Sequence, residues 1–189
     1  MNPIKNLLTY RYSEIIYDLT VSFLSYLSYL GRLNIPTHRT AEQMLHAARS
    51  SKQNIVEGVA EICSLKGQLK LLGISYASYE ELIADLEDFL RILKLRIYPK
   101  TDPRVKNFQQ IGYRLSNISN LSNLGNLIEK PILPKDPEEA ANFLLTLCHI
   151  ETYLLKKQIE AAETKFAKEG GYTENLFKKR LEYRSQNRP

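Results

Sequence analysis

The chain has 189 residues, of which 43% are apolar and 25% are charged, and its formal net charge is +5. This length suits one domain with a single core, and the composition lies in the globular range rather than that of disordered proteins. The longest apolar candidate, from Val21 to Leu30, is interrupted by three serines, which excludes a membrane span. The first residues lack the features of a secretory signal peptide, so we expect a cytoplasmic protein with no membrane partner.

The two cysteines, Cys63 and Cys148, stand alone in apolar helical patterns, without a CxxC motif or a histidine at metal-binding spacing. We therefore predict that both are small buried hydrophobic side chains. The sequence predicts no metal site and no cofactor.

Apolar residues at steps of three and four predict two helices in the first third of the chain. The first runs from about Leu8 to Leu30, and Gly31 with the segment 34–36 ends it. Thr40 is a suitable N-cap for the second, whose apolar positions continue from Ala41 to Ile62.

The third helix has the most regular pattern, because its apolar residues step by four and three from Leu65 to Ile97. This spacing predicts a heptad seam over about nine turns. Ser64 is the candidate N-cap, and Pro99 stops the helix. A second apolar stripe implies contact with more than one neighbouring helix.

The pair Asp102-Pro103 predicts the start of a fourth helical segment. From Leu115 to Leu127 an apolar residue stands at every third position, which predicts weak helix or ordered loop. Asp136-Pro137 begins a long fifth helix, which Gly170-Gly171 stops. Strand alternation is absent, so we predict an all-α fold: an up-and-down four-helix bundle over residues 1–169, with a loop or weak-helix insertion at about 99–136, and a short basic C-terminal helical suffix over 170–189.

No enzyme motif is evident, since the phosphate-binding loops, nucleophile elbows and zinc motifs of known enzymes are absent. The densest acidic run consists of Glu80, Glu81, Asp85, Glu87 and Asp88. We interpret it as a solvated or interhelical face that Arg91 and Lys94 balance at helical spacing. The sequence therefore favours a protein that is not an enzyme.

One catalytic alternative rests on Arg39, which His46 follows seven residues later. The pair resembles the Arg-x4-6-His motif of HEPN ribonucleases, which are also small helical bundles. In that interpretation His46 would handle the proton of an RNA 2′-hydroxyl, and Arg39 would stabilise the phosphate transition state. Here the pair straddles the start of the second helix, whereas the motif of that family lies on a later helix of its bundle.

Positive residues cluster in two places, around the end of the third helix and in the suffix. Such clusters suit phosphate oxygens, so we predict that both contact nucleic acid. The predicted nucleic-acid-binding residues are Lys94, Arg96, Lys100, Arg104 and Lys106 in the first cluster and Lys178, Lys179, Arg180 and Arg184 in the second. Tyr172, Phe177 and Tyr183 are interleaved with the second cluster, where they could stack on bases or dock the suffix on the bundle.

From Arg39 to Gly58 the second helix reads Arg-Thr-x-x-Gln-Met-x-x-Ala-Ala-Arg-Ser-x-x-Gln-Asn-Ile-x-Glu-Gly. The third carries Ala-Ser-x-Glu-Glu-Leu from Ala77 and Asp-x-Glu-Asp-Phe-Leu from Asp85. This text resembles the "four helix bundle suffix" branch of the S23-type family. That family also contains proteins encoded by intervening sequences in bacterial 23S ribosomal RNA genes, and its relatives include the accessory protein of diversity-generating retroelements. The signature residues in this chain are Gln43, Arg49, Asn54, Glu57, Gly58, Ser78 and Glu81.

The resemblance implies a four-helix bundle that forms a ring-shaped homopentamer and has no established enzymatic activity. In the retroelement relatives the ring is basic and engages reverse transcriptase and RNA. The signature residues are then structural: small residues permit close helix approach, and Asn54, Glu57 and Glu81 could form a buried hydrogen-bonded network.

We therefore expect a homo-oligomer that binds structured RNA through basic patches replicated by symmetry, with service to a retroelement reverse transcriptase as one open role. The second interpretation is an assembly module whose basic patches meet an acidic protein partner. A ribonuclease is the third.

Overall fold

A computed structural model describes residues 3–30, 38–61, 63–123 and 125–186. Within those ranges the chain is helical and contains no strand, apart from an isolated bridge between Leu121 and Leu127. The predicted all-α class is therefore confirmed for this part of the chain. None of its helices combines the length and apolar character that a membrane crossing needs. The helices are α1 (Leu8–Tyr29), α2 (His38–Ala60), α3 (Leu65–Ile92), α4 (Pro103–Leu115), α5 (Pro137–Glu169) and α6 (Tyr172–Gln186), with short 3-10 helices at Pro3–Asn6 and Ile118–Asn120.

The four long helices pack side by side around one apolar core, in the cyclic order α1, α2, α3, α5. Helices α1 and α5 run in opposite directions, because Thr9 donates to Gln158 at 2.8 Å whereas Tyr26 bonds the carbonyl of Lys135. Across the centre, the rings of Phe23 in α1 and Phe89 in α3 meet edge to face with their centroids 5.2 Å apart.

Small residues bring α2 and α3 close together, as the sequence predicts. The Ser75 hydroxyl donates to the backbone carbonyl of Ser51 at 3.0 Å, and both residues are buried. A Cβ atom added at Gly58 would lie 3.2 Å from the Cβ of Leu71, which is tighter than most real contacts. A larger side chain at position 58 would therefore push the two helices apart.

The predicted N-caps of three helices are confirmed. The side chains of Ser64, Asp102 and Asp136 accept hydrogen bonds from the backbone N–H groups of Gly67, Arg104 and Glu139, at 2.9, 2.9 and 3.0 Å. Helix α2 differs, because it begins at His38, before the predicted cap Thr40. The predicted stop at Gly31 and 34–36, the position Ile62 and the last residues of the suffix, 187–189, lie outside the described ranges.

Helix α3 ends at Ile92, so its predicted continuation to Ile97 is wrong. Lys94 takes the left-handed conformation, with φ of 56°, and the N–H of Leu95 donates to the carbonyl of Leu90 at 2.8 Å. This pattern is a Schellman end. Leu93 and Leu95 still pack against the core beyond it, which explains why the apolar spacing outlasts the helix.

The asparagine-rich stretch after α4 is ordered loop, one of the two predicted states. The Asn120 amide donates to the carbonyl of Leu115 at 2.9 Å and accepts from the N–H of Glu129 at 2.8 Å. The buried guanidinium of Arg11 donates to the carbonyl of Ser116. These bonds satisfy backbone groups that a helix would have paired.

The cysteine prediction holds for Cys148, which is buried in α5, and is wrong for Cys63, which is exposed. Cys63 lies in the connection between α2 and α3 rather than on a helix face, so no neighbouring helix covers it.

Beyond Glu160 the chain leaves the core. No residue of 161–186 is buried, and we call this segment the C-terminal arm. Phe177 and Tyr183 are 61% and 70% exposed, so neither side chain is buried against the bundle.

Candidate nucleic-acid interface

The five cations of the first predicted cluster lie on the connection between α3 and α4 and on the first turn of α4, and we call them the junction cluster. The side chains of Lys94, Lys100 and Lys106 are exposed. None of these lysines forms an ion pair with another side chain in the described ranges. They therefore carry unbalanced positive charge at one end of the bundle.

A buried amide on α5 holds the connection in place. Asn142 accepts a hydrogen bond from the N–H of Tyr98 and donates to the carbonyls of Arg96 and Glu138, each at 2.8 Å. The Glu138 carboxylate also accepts from the N–H of Arg96 at 3.0 Å. These bonds fix the backbone of residues 96–98 against α5, so the connection that carries the cluster is held by α5 rather than being a free loop.

The two arginines of the junction cluster are partly engaged by neighbouring carboxylates. Arg104 pairs with Asp102 at 2.7 Å, and its guanidinium carbon lies 3.6 Å from the ring centroid of Tyr98. The hydrogen bonds from the Arg104 side chain and backbone lower the pKa of Asp102 to about 2. Arg96 pairs with Glu138 at 3.3 Å, and the pKa of Glu138 is lowered, chiefly by the hydrogen bond from the Arg96 backbone. Both carboxylates therefore stay ionised, and the three lysines supply most of the net charge.

The second cluster, which we call the suffix cluster, lies on α6. Its four side chains, Lys178, Lys179, Arg180 and Arg184, are exposed, and within the described part of the chain none of them forms an ion pair. Arg180 and Arg184 stand one helical turn apart, a spacing that suits successive contacts to phosphates.

The structure does not bring the two clusters together. The junction cluster lies beside the start of α5, whereas the suffix cluster follows its end, and α5 has 33 residues. At a rise of about 1.5 Å per residue the helix separates them by about 50 Å. A short RNA therefore meets one cluster or the other within a single chain.

The signature residues divide into packing residues and surface residues. Gly58 and Ser78 are buried where α2 meets α3. Asn54 is partly buried, and its amide donates to the carbonyl of Ser50 at 2.8 Å. Glu57 and Glu81 are exposed, so the predicted buried network does not form within the chain, because both carboxylates lie on helix faces turned away from the core. Gln43 and Arg49 are also exposed.

A groove of about 690 Å³ between α2 and α3 joins several of the residues that the sequence singled out. Arg39, Gln43 and His46 line it from α2, facing Glu81 and Asp85 on α3. Burial raises the pKa of Asp85, and the neighbouring carboxylates Asp88 and Glu81 raise it further. The described residues contain no group of His, Cys, Asp and Glu side chains arranged to hold a metal ion.

Sequence reasoning missed residues of two kinds. Glu151 is a fully buried carboxyl group without a hydrogen-bond partner among the described residues, and burial raises its pKa well above the usual value. Its neighbours one turn away, Leu147 and Leu155, are core residues, which is the signal that places it inside. Tyr113 and Tyr153 are exposed aromatic residues near the junction cluster, and their position on the polar faces of α4 and α5 could have marked them.

Comparisons of the chain with protein-family models, with curated proteins and with solved structures found no match. The interpretation of this surface therefore rests on the residues and geometry above, and the resemblance to the S23-type family stays a prediction.

Proposed function

We propose that this chain is an S23-type, up-and-down four-helix bundle that assembles with copies of itself and binds structured RNA without catalysing a reaction. The observation that carries the proposal is the junction cluster, in which Lys94, Lys100 and Lys106 have no acidic partner in the described ranges. Phosphate binding is the ordinary use of clustered exposed cations held on a rigid frame. A retroelement reverse transcriptase, acting with the RNA, is the protein partner that the resemblance suggests.

The cyclic order of the four long helices supports the bundle topology. Helices α1 and α5 run in opposite directions. So do α2 and α3, because Ser51 contacts Ser75 whereas Gly58, later in α2, contacts Leu71, earlier in α3. Short connections between antiparallel neighbours are typical of up-and-down bundles.

The C-terminal arm supports self-assembly. Phe166, Phe177 and Leu181 are between 42% and 61% exposed on the C-terminal arm, in which no residue is buried. Apolar side chains grouped on a protruding segment mark an interaction surface. Assembly into a closed ring, a pentamer by the resemblance, would also replicate the junction cluster, so that modest patches add multivalently.

A salt titration of RNA binding tests the proposal. We expect the affinity of the wild-type protein for a structured RNA to fall steeply as salt rises, because bound lysines displace counterions. Replacing Lys94, Lys100 and Lys106 by Gln should weaken binding and reduce the slope of log K against log salt by about 2 to 3. A control that replaces Lys66, Lys70 and Lys156, which are also exposed, by Gln should keep most of the slope.

Two results would contradict RNA binding through this surface. One is no measurable binding at low salt, and the other is a junction variant that behaves like the control. Binding to an acidic polypeptide in place of RNA would favour the assembly module that recognises an acidic protein.

A ribonuclease, the third interpretation, is favoured by one observation: Arg39 and His46 line the same groove. The groove also contains Glu81 and Asp85, whose negative charges oppose phosphate binding. We expect no cleavage of RNA by the wild-type protein. Cleavage that disappears in His46→Ala would establish the ribonuclease instead.

A further inference from the structure

A hollow of about 500 Å³ opens beside the junction cluster, between α5, α4 and the connection that precedes α4. Its floor is mainly apolar, with side chains that include Leu145 and Ile150 beside the buried polar groups of Asn142 and Thr146. Its rim is polar and carries Lys100, His149 and Tyr153. An apolar floor with a few polar groups at the rim is the usual build of a site for a small ring, and the volume lies within the common range of about 300–1,000 Å³.

The hollow is preformed. One wall is the backbone of residues 97–100, which Asn142 fastens to α5 through the N–H of Tyr98. The Tyr98 ring is covered on its other side by Arg104, which Asp102 holds in turn. A ligand would therefore enter without first ordering the wall, and this lowers the entropic cost of binding.

A second depression continues the hollow along α4. It is lined by Lys106, Gln109, Gln110 and Tyr113, which share one helix face, and Gln109 lines both spaces. Tyr113 is 69% exposed, and Tyr153 is 61% exposed. Each space thus presents one exposed tyrosine ring and one lysine, Lys106 in the depression and Lys100 in the hollow.

We propose that the hollow binds one unstacked nucleobase from a single-stranded RNA loop. The base stacks on the ring of Tyr153, while Lys100 and Lys106 bind the adjacent phosphates. The inference rests on the proposed function and narrows its ligand from structured RNA in general to unpaired nucleotides within it. Alternating aromatic rings and cations are the recognition pattern for single strands. A duplex keeps its bases stacked and paired, so it can offer phosphates to the lysines but no base to the hollow.

The test measures fluorescence anisotropy of the full-length protein with two labelled RNAs of equal length, a stem with an unpaired loop and a fully paired duplex. We expect tighter binding of the loop RNA. Tyr153→Ala should weaken loop binding about tenfold, the effect of losing one stacked base, and leave duplex binding unchanged. Tyr29→Ala is the matched control, because Tyr29 is 87% exposed on α1 and does not line the hollow.

The outcomes separate this inference from the proposed function. Equal affinity for loop and duplex, or the same effect from Tyr153→Ala and Tyr29→Ala, would overturn the hollow as a base site while leaving RNA binding intact. Absence of binding to both RNAs at low salt would overturn the proposed function and the inference together. Irradiation of a 4-thiouridine loop gives an independent check, since crosslinks at Tyr153 or His149 are expected and crosslinks confined to α6 would count against the hollow.

Discussion

The carboxyl group of Glu151 is fully buried among three helices. Tyr12 of α1, Tyr79 of α3 and Cys148 of α5 lie close enough for a charge on Glu151 to raise the pKa of each. Desolvation raises the pKa of Glu151 itself, because the ionised form would lose water without gaining a partner. The folded protein therefore holds a proton that the unfolded chain releases above the usual pKa of a glutamate.

The raised pKa of Glu151 in the folded state determines how the free energy of unfolding changes with pH. Between the usual glutamate pKa and the raised folded value, the folded state binds more protons, so the free energy of unfolding falls as pH rises. We expect Glu151→Gln, which cannot ionise, to be more stable than the wild type at pH 8 and nearly equal to it at pH 4.

Urea denaturation from pH 4 to 8 measures the difference between these two proteins. Glu14 and Asp85 also have raised pKa values, and both remain in the variant, so they cancel in the comparison. Parallel stability curves for the two proteins would show that Glu151 ionises normally in the folded state.

Individual residues also mark where sequence reasoning reached its limit. The caps Ser64, Asp102 and Asp136 were predictable because each bonds a backbone N–H within three residues. The left-handed conformation of Lys94 was not predictable, because lysine rarely adopts it. The apolar spacing also continues through Leu93, so the sequence shows no end of the helix there.

At the scale of elements, α4 is joined to the bundle through a close approach at Gly112. A Cβ atom there would lie 2.6 Å from Cδ2 of Leu147 and 3.2 Å from the ring of Tyr12. Leu147 is itself fully buried, so the contact cannot relax without disturbing the core. Glycine at this position allows α4 to pack against α5 and close to Tyr12 of α1, and α4 in turn carries one side of the hollow.

We expect Gly112→Ala to reduce the free energy of unfolding by about 1–3 kcal/mol, the usual cost of overpacking a core. Gly73→Ala is the matched control, because an added Cβ at this exposed position of α3 meets nothing within 4 Å. That substitution should stabilise the protein by about 0.5–1 kcal/mol, since alanine favours a helix over glycine. Thermal and urea unfolding of both variants measure the effect, and similar changes in the two would contradict the close packing of α4.

Element boundaries and the candidate site differ in how far the sequence could predict them. The long apolar periodicities predicted α1, α3 and α5 because each helix must bury its own stripe. The basic residues of the junction cluster were also visible as a local run. Their acidic partners were not, because Glu138 lies 42 positions from Arg96 along the chain and meets it only through the packing of α5 against the connection. The hollow was also missed, because its lining residues come from α4, α5 and the connection before α4 and meet only when these elements pack together.

At the scale of the whole molecule, the C-terminal arm divides the protein into a part with a core and a part without one. The last buried residue of α5 is Leu155, and α6 contains none. Helices without tertiary burial are marginal in water at a length of about 15 residues, so the arm needs a covering surface to be stably helical. A second copy of the chain would supply that surface and would double the basic clusters available to one RNA.

Truncation of the chain after Gly170 tests whether α6 contributes to assembly rather than to the stability of the core. We expect the shortened protein to keep the melting temperature of the wild type at low concentration, because no buried side chain is lost, and to have a smaller mass by light scattering. The melting temperature of the full chain should rise with protein concentration, and that of the shortened chain should not, because assembly stabilises the folded state by mass action.

Leu181→Glu in the full chain, which places a charge among the apolar residues of α6 and keeps its length, should behave like the truncation. An assembly of unchanged mass in both variants would place the contacts between copies on the bundle itself, and the exposed faces of α2 and α3 would then be the surface to examine.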